Sequence, residues 1–221
     1  MTMLTLFHMP GACSRISLNA LEEIGKPYQD HGVALMRGEQ YGHAYVAMNP
    51  KSKVPMLKVG DVFLTETPAI LHYLANTSPE ARLLPCSDSI AQALSLADLS
   101  WCASSLHPMV HRIFRPSAYA ANDTAQIKAD ALTQFSAAAC LIEQRVCENR
   151  WWYGDAWSIV DVNLCWLYST AAQFGFELNN YAGLTRHRER VEQRPSFLRA
   201  LERERDAVHR FELPLPAGVM L

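Results

Sequence analysis

The chain has 221 residues, a formal net charge of -2, and 49% hydrophobic against 19% charged residues. That composition excludes a disordered chain and leaves ample length to bury a core. No basic excess points to a nucleic-acid backbone, so nucleic acid is not an expected partner. The N-terminus lacks a charged region followed by a cleavable apolar segment. The longest apolar stretch, "IVDVNLCWLYSTAAQFGF", carries Asp161 and Asn163 and is not a membrane span. A cytoplasmic protein without membrane contact is the expectation.

Residues 3–8, "MLTLFH", read as a strand. "SRISLNALEEIG" reads as a helix, with Ile16, Leu18, Leu21 and Ile24 near helical spacing and Gly25 as its stop. "KPYQDHGVAL" reads as a second strand, and residues 38–48 as a loop with a short helix ending at Asn49-Pro50. Two apolar runs, Pro55–Val59 and Val62–Thr65, flank Gly60-Asp61, which predicts a hairpin. "PAILHYLANTS" then reads as a helix with Pro68 in its first turn. The order β-α-β-α-β-β-α predicts an α/β unit on a mixed four-stranded sheet over residues 1–78, with the first two strands parallel.

"SPEARLLPCSDS" reads as a linker, 79–87. Residues 88–221 show only helical periods and predict an all-helical domain. Ile90, Leu94, Ala97 and Trp101 share one face of its first helix. Asp123 with Gln126 resembles a helix-start box. "SIVD", Ser158 to Asp161, predicts a capping box with Trp157 and Val162 as flanking staple. The helix after it is apolar nearly all round, as a buried bundle helix is. Two further helices flank Arg194-Pro195.

The six cysteines, 13, 86, 102, 140, 147 and 165, form no C-x-x-C pair and no zinc spacing, so no metal is expected and most read as packing residues. Cys13 is the exception by position. It falls where a strand hands over through Pro10-Gly11 to a helix, and a helix start favours a thiolate, so its pKa is expected to fall. Ile16 occupies the place of a resolving thiol, which disfavours dithiol exchange. Val54-Pro55 is a candidate cis peptide that would turn the Val54 N–H and C=O toward an extended ligand. Glu66 and Thr67 open the following helix as a corner for a carboxylate and an ammonium. Taken alone, the preferred reading is Thr67 as an N-cap and Glu66 as a dipole-friendly first-turn acid.

"PGACS", "NPKSKVP", "LTETPAILHYL", the linker near "LLP", "SIVD" and the late "QRPSF" together resemble the cytosolic glutathione S-transferases, over nearly the whole chain and in order. Within them "PGACS" is similar to the bacterial beta class. The resemblance implies a thioredoxin-like N-terminal domain that binds glutathione as co-substrate, a helical domain that shapes an electrophile pocket, and a homodimer. It implies that Cys13 faces the glutathione sulfur and can form a mixed disulfide with it. Val54, beside Pro55, would pair with the glutathione backbone, and Glu66 and Thr67 would hold its γ-glutamyl end. His107 matches an active-site histidine of the class; by itself it reads as a surface or core residue near a kink at Pro108. Lys53 stands where a glutamine is common and Arg37 near an expected basic residue. His8 and Phe7 replace a tyrosine pair, and Ser100 replaces an asparagine. The serine-rich signature of the zeta class is absent, which weakens a maleylacetoacetate isomerase reading.

The resulting expectation is transfer of the glutathione thiolate to a small hydrophobic electrophile, or glutathione-dependent thiol-disulfide exchange through Cys13. The alternative is a non-catalytic ligand-binding or adaptor protein on the same fold. Ser14, one residue on, is a second candidate donor to the thiolate. Trp101, Phe114, Tyr119, Trp166 and Tyr168 are candidate pocket walls, with bundle core the preferred reading for Trp101 and Trp166. The tail "ELPLPAGVML" is expected to cover the site or meet a partner subunit.

Overall fold

The structure, a computed structural model, describes residues 3–215. Its contacts divide the chain into two units: one from the chain up to Leu83 together with the segment from Arg194 on, the other Leu84–Gln193.

The first unit holds a four-stranded sheet in the order β2-β1-β3-β4. β1 (Leu4–His8) pairs parallel with β2 (Gln29–Gly32) and antiparallel with β3 (Met56–Val59), which pairs antiparallel with β4 (Val62–Thr65). Helix α1 (Ser14–Ile24) carries the chain from β1 to β2 and buries Ile16, Leu18 and Leu21. Gly25 closes it in the left-handed conformation, φ 70°, donating its N–H to the Leu21 carbonyl. The short helix α2 (His43–Met48) follows, and α3 (Thr67–Thr77) packs on α1. These elements follow the expected order.

Helix α9 (Pro195–Arg210) departs from the expected boundary. The sequence grouped everything from residue 88 on into a helical domain, but α9 packs on α1 and β2. The reason is charge buried on an apolar stripe. Phe197, Ala200, Glu204 and Ala207 face inward, and Arg199 and Arg203 pair with Glu22 of α1 at 3.1 and 3.0 Å. Arg194 pairs with Glu23 and Arg210 with Asp30, each at 2.6 Å. Beyond the helix, Phe211 and Leu213 lie against Gly32, where an added Cβ would sit 2.7 Å from Leu213 Cδ1. The start of the tail therefore packs within this unit, and residues 216–221 lie outside the described residues.

The second unit is helical: α4 (Ser89–Trp101), a π segment (Cys102–Leu106), α5 (His107–Phe114), α6 (Thr124–Glu148), α7 (Ile159–Gln173) and α8 (Ala182–Glu192). Pro108 explains the π segment, because it brings no N–H and its ring crowds the carbonyl four residues back. The expected apolar face of α4 is turned outward. Ile90 and Leu94 are exposed, while Ser95, Leu99, Cys102 and Leu106 are buried. The expected box at Asp123 does not form. Asp123 adopts φ 61° without capping, and Gln126 donates to Asp130 instead.

The "SIVD" box is present at the start of α7. The Ser158 N–H and hydroxyl both donate to Asp161 Oδ2, at 2.9 and 3.0 Å. Asp161 Oδ1 accepts from the Trp152 N–H at 2.7 Å and lies 2.9 Å from His187 Nε2. Tyr168 closes the chain of contacts 2.8 Å from His187 Nδ1. Tyr168, His187 and Asp161 are fully buried, so Tyr168 belongs to this core network and not to a pocket wall.

Candidate functional site

The turn between β1 and α1 carries Cys13. Gly11 takes φ 79°, which a β-carbon disfavours, and the turn tightens through the Ala12 N–H donating to the Met9 carbonyl. Cys13 is the residue before the first turn of α1. Its sulfur lies 3.8 Å from the Val54 carbonyl oxygen, to which the thiol donates. The Val54-Pro55 peptide is cis. The Val54 N–H finds no acceptor among the described residues. The loop that presents this edge is braced from behind, with Tyr45 Oη and Asn49 Nδ2 both donating to the Lys53 carbonyl at 2.8 Å.

The Cys13 thiol runs against the sequence expectation. Protein packed around the sulfur pushes its pKa up to about 11. The backbone N–H groups of Cys13 and Ser14 and the charge of Lys53 act in the lowering direction, and Glu66 acts in the raising direction. Desolvation wins over the helix start. At neutral pH Cys13 is a thiol and a hydrogen-bond donor.

Ser14 is committed elsewhere. Its hydroxyl donates to the Met9 carbonyl and accepts from the Met9 N–H, both at 3.1 Å, so it clamps the turn. Glu66, not Thr67, is the residue that precedes the first turn of α3, and its φ of 71° is a strained conformation for a residue with a β-carbon. Thr67 is the first helical residue. The Glu66 carboxylate meets Lys51 Nζ at 2.7 Å, a partner the sequence did not suggest. Arg37 sits on an exposed 3-10 turn, and among the described residues no hydrogen bond or ion pair ties it to the others.

The residue that sequence reasoning missed is Glu204 of α9. It is fully buried, accepts the Gly11 N–H at 3.1 Å, and accepts from Arg15 Nε and Nη2 at 2.8 and 2.6 Å. The available signal was a carboxylate on the apolar stripe Phe197-Ala200-Ala207.

His107 belongs to the helical unit. It opens α5 directly after the π segment, and its ring stacks on Trp166 at 5.5 Å with an interplanar angle of 12°. Trp101 stacks on Trp152 at 6.1 Å.

A helix start beside a cis-proline edge, on a sheet of this order, defines a thioredoxin-like domain. The family model for the glutathione S-transferase N-terminal domain matches residues 2–76. Glutathione S-transferase GstA of Escherichia coli O157:H7 is 30% identical over 201 residues, 90% of this chain and 98% of that protein. Maleylacetoacetate isomerase of Pseudomonas aeruginosa is 29% identical over 188 residues, 82% of this chain and 87% of that one. The solved beta-class glutathione S-transferase of Sphingomonas chungbukensis is 29% identical with a TM-score of 0.81, covering 90% of this chain and 98% of that one. This chain belongs to the glutathione S-transferase family.

Proposed function

We propose that the protein binds glutathione along the Lys53–Pro55 edge and transfers its thiolate to a small hydrophobic electrophile. The observation that carries this is at Val54. One residue offers an unclaimed N–H to an extended ligand while its carbonyl takes the Cys13 thiol. Lys53 supplies a cation near the glycyl end, and Glu66, Thr67 and Arg37 complete the ligand-holding set. When glutathione binds, the Cys13 S–H turns from the Val54 carbonyl to the bound thiolate, and Ser14 holds the turn. Donation to the charged sulfur favours thiolate over thiol. The thiolate then forms a carbon–sulfur bond while a leaving group departs or the displaced π electrons take up a proton.

The raised Cys13 pKa supports this donor role over a mixed disulfide, since a nucleophilic cysteine works as thiolate. The similarity to maleylacetoacetate isomerase keeps a second reaction open to the same thiolate, addition to a conjugated double bond followed by rotation and elimination. The exposed apolar side chains of α4, Ile90, Leu94 and Leu96, support a homodimer. Membership of the glutathione S-transferase family supports a cytoplasmic location.

Calorimetric titration with glutathione, followed by conjugation, disulfide-exchange and isomerisation assays, tests the reading. Binding with conjugation supports it. No binding at millimolar glutathione contradicts it and leaves the adaptor alternative.

A further inference from the structure

The loop before the cis peptide carries two lysines, and the fold treats them differently. Lys51 Nζ donates to Glu66 Oε1 at 2.7 Å and to the Thr65 hydroxyl at 3.0 Å. Lys53, two residues on, is exposed, and among the described residues nothing pairs with its ammonium. Of the other lysines in this unit, Lys26 pairs with Glu80 and Lys58 lies over the Phe63 ring.

The charge of Lys53 acts at the sulfur. Lys53 precedes Val54, whose carbonyl takes the Cys13 S–H at 3.8 Å. Its own carbonyl is pinned by Tyr45 Oη and Asn49 Nδ2, so its backbone is fixed at this edge. Burial dominates the Cys13 pKa and raises it, while the Lys53 charge acts on the same sulfur in the opposite direction. Glu66 opposes Lys53 there, but Glu66 is already paired with Lys51. Nearby hydroxyls do not take this place. The Ser14 hydroxyl is spent on Met9. At the end of β1 stand Phe7, which has no hydroxyl, and His8, buried with Nε2 3.2 Å from Asp30.

We propose that Lys53 supplies the cation for the bound thiolate, beyond any contact it makes with the glycyl end of the ligand. The inference rests on the transferase reading and adds a residue to its chemistry. The ligand thiol gives its proton to solvent, the sulfur keeps the electron pair, and Lys53 stays protonated. An opposite charge a few ångströms away favours the charged form of an acid. Because Lys53 is exposed, salt screens its attraction.

K53Q and K53R separate charge from size. The thiol pKa of bound glutathione is read from thiolate absorbance, beside that of glutathione esterified at its glycyl carboxylate. K53Q raises it by about half a unit to one unit for both ligands, the scale of one charge acting through partly hydrated protein. K53R keeps the wild-type value, and high salt narrows the gap between K53Q and wild type. Weaker glutathione binding in K53Q with an unchanged thiol pKa overturns the proposal and leaves Lys53 to the glycyl carboxylate alone. A second measurement needs no glutathione. Alkylation of Cys13 by iodoacetamide at pH 9 slows about threefold in K53Q, the same half unit, and keeps its rate in K58Q. That slowing in a protein that binds no glutathione retains Lys53 as the cation of a thiolate site and contradicts the transferase reading. An unchanged Cys13 rate in K53Q overturns the proposal.

Discussion

The Gly11 N–H donates to the Glu204 carboxylate at 3.1 Å, joining the turn before Cys13 to a helix more than 190 residues later in the chain. Arg15, the second residue of α1, pairs with the same carboxylate. The Cys13 turn is thus held from two sides, by Ser14 on Met9 and by Glu204 on Gly11. Replacing Glu204 by alanine removes the buried carboxylate that Arg15 and the Gly11 N–H share. Breaking such a pair costs about 3–5 kcal/mol. We expect E204A to lose stability on that scale in chemical denaturation, and E204Q to lose less. Equal stability of E204A and wild type would show that the turn holds without α9.

The β-α-β-α-β-β-α order was legible because each of its signals is local: period-2 runs, Gly60-Asp61, Gly25 and Pro68. The position of Cys13 before α1 and the cis peptide at Val54-Pro55 were legible for the same reason. Three features were not. The pKa of Cys13 depends on desolvation, which spacing does not encode, so the helix-start rule pointed the wrong way. The outward turn of Ile90 and Leu94 reflects which stripe of α4 the bundle covers, and the covered stripe holds Ser95 beside Leu99, a weaker apolar signal than the exposed one. The placement of α9 rests on ion pairs with Glu22, Glu23 and Asp30, whose partners lie more than 160 positions apart.

Cys13 should resist alkylation at neutral pH. Its pKa of about 11 means that the reactive thiolate fraction grows roughly tenfold per pH unit up to that point. Iodoacetamide labelling followed by peptide mass spectrometry reads this residue separately from Cys86 and Cys140, both exposed. K53A should push the midpoint higher, because Lys53 acts to lower it. A plateau below pH 8 would contradict the donor role.

Leu94→Glu places a charge on the exposed apolar face of α4. Light scattering after gel filtration should give about twice the chain mass for wild type and the chain mass for L94E. A monomeric wild type would remove the dimer from the account.

Asp30 governs part of the acid response. Burial acts to raise its pKa, but hydrogen bonds and charges from His8 and Arg210 outweigh it and hold the carboxyl below its ordinary value. A carboxyl depressed in the folded state contributes stability above its unfolded pKa of about 3.9, and that stability is lost as pH falls through the folded value. The wild type should therefore lose more stability than D30N on acidification below about pH 4. Parallel curves for the two proteins would contradict this.

Asp161 and Tyr168 separate the cost of a charge from the cost of a neutral hydrogen bond. Asp161 takes two backbone N–H groups, a hydroxyl and His187, so D161A should be destabilised by several kcal/mol. Y168F removes one hydroxyl and should lose about 1–2 kcal/mol. Urea denaturation of each variant measures both, and a Y168F loss as large as that of D161A would place the weight of the network on the wrong residue.

The central claim is that protonated Cys13 stabilises the thiolate of bound glutathione without attacking it. Its most direct measurement is the ultraviolet thiolate absorbance of bound glutathione, titrated against pH in wild type, C13S and C13A. The account predicts a glutathione thiol pKa below that in free solution for wild type, a rise of about one to two units in C13A, and a smaller rise in C13S, which keeps a donor. An unchanged titration in C13A, or a covalent Cys13–glutathione disulfide as the main species at neutral pH, would contradict it.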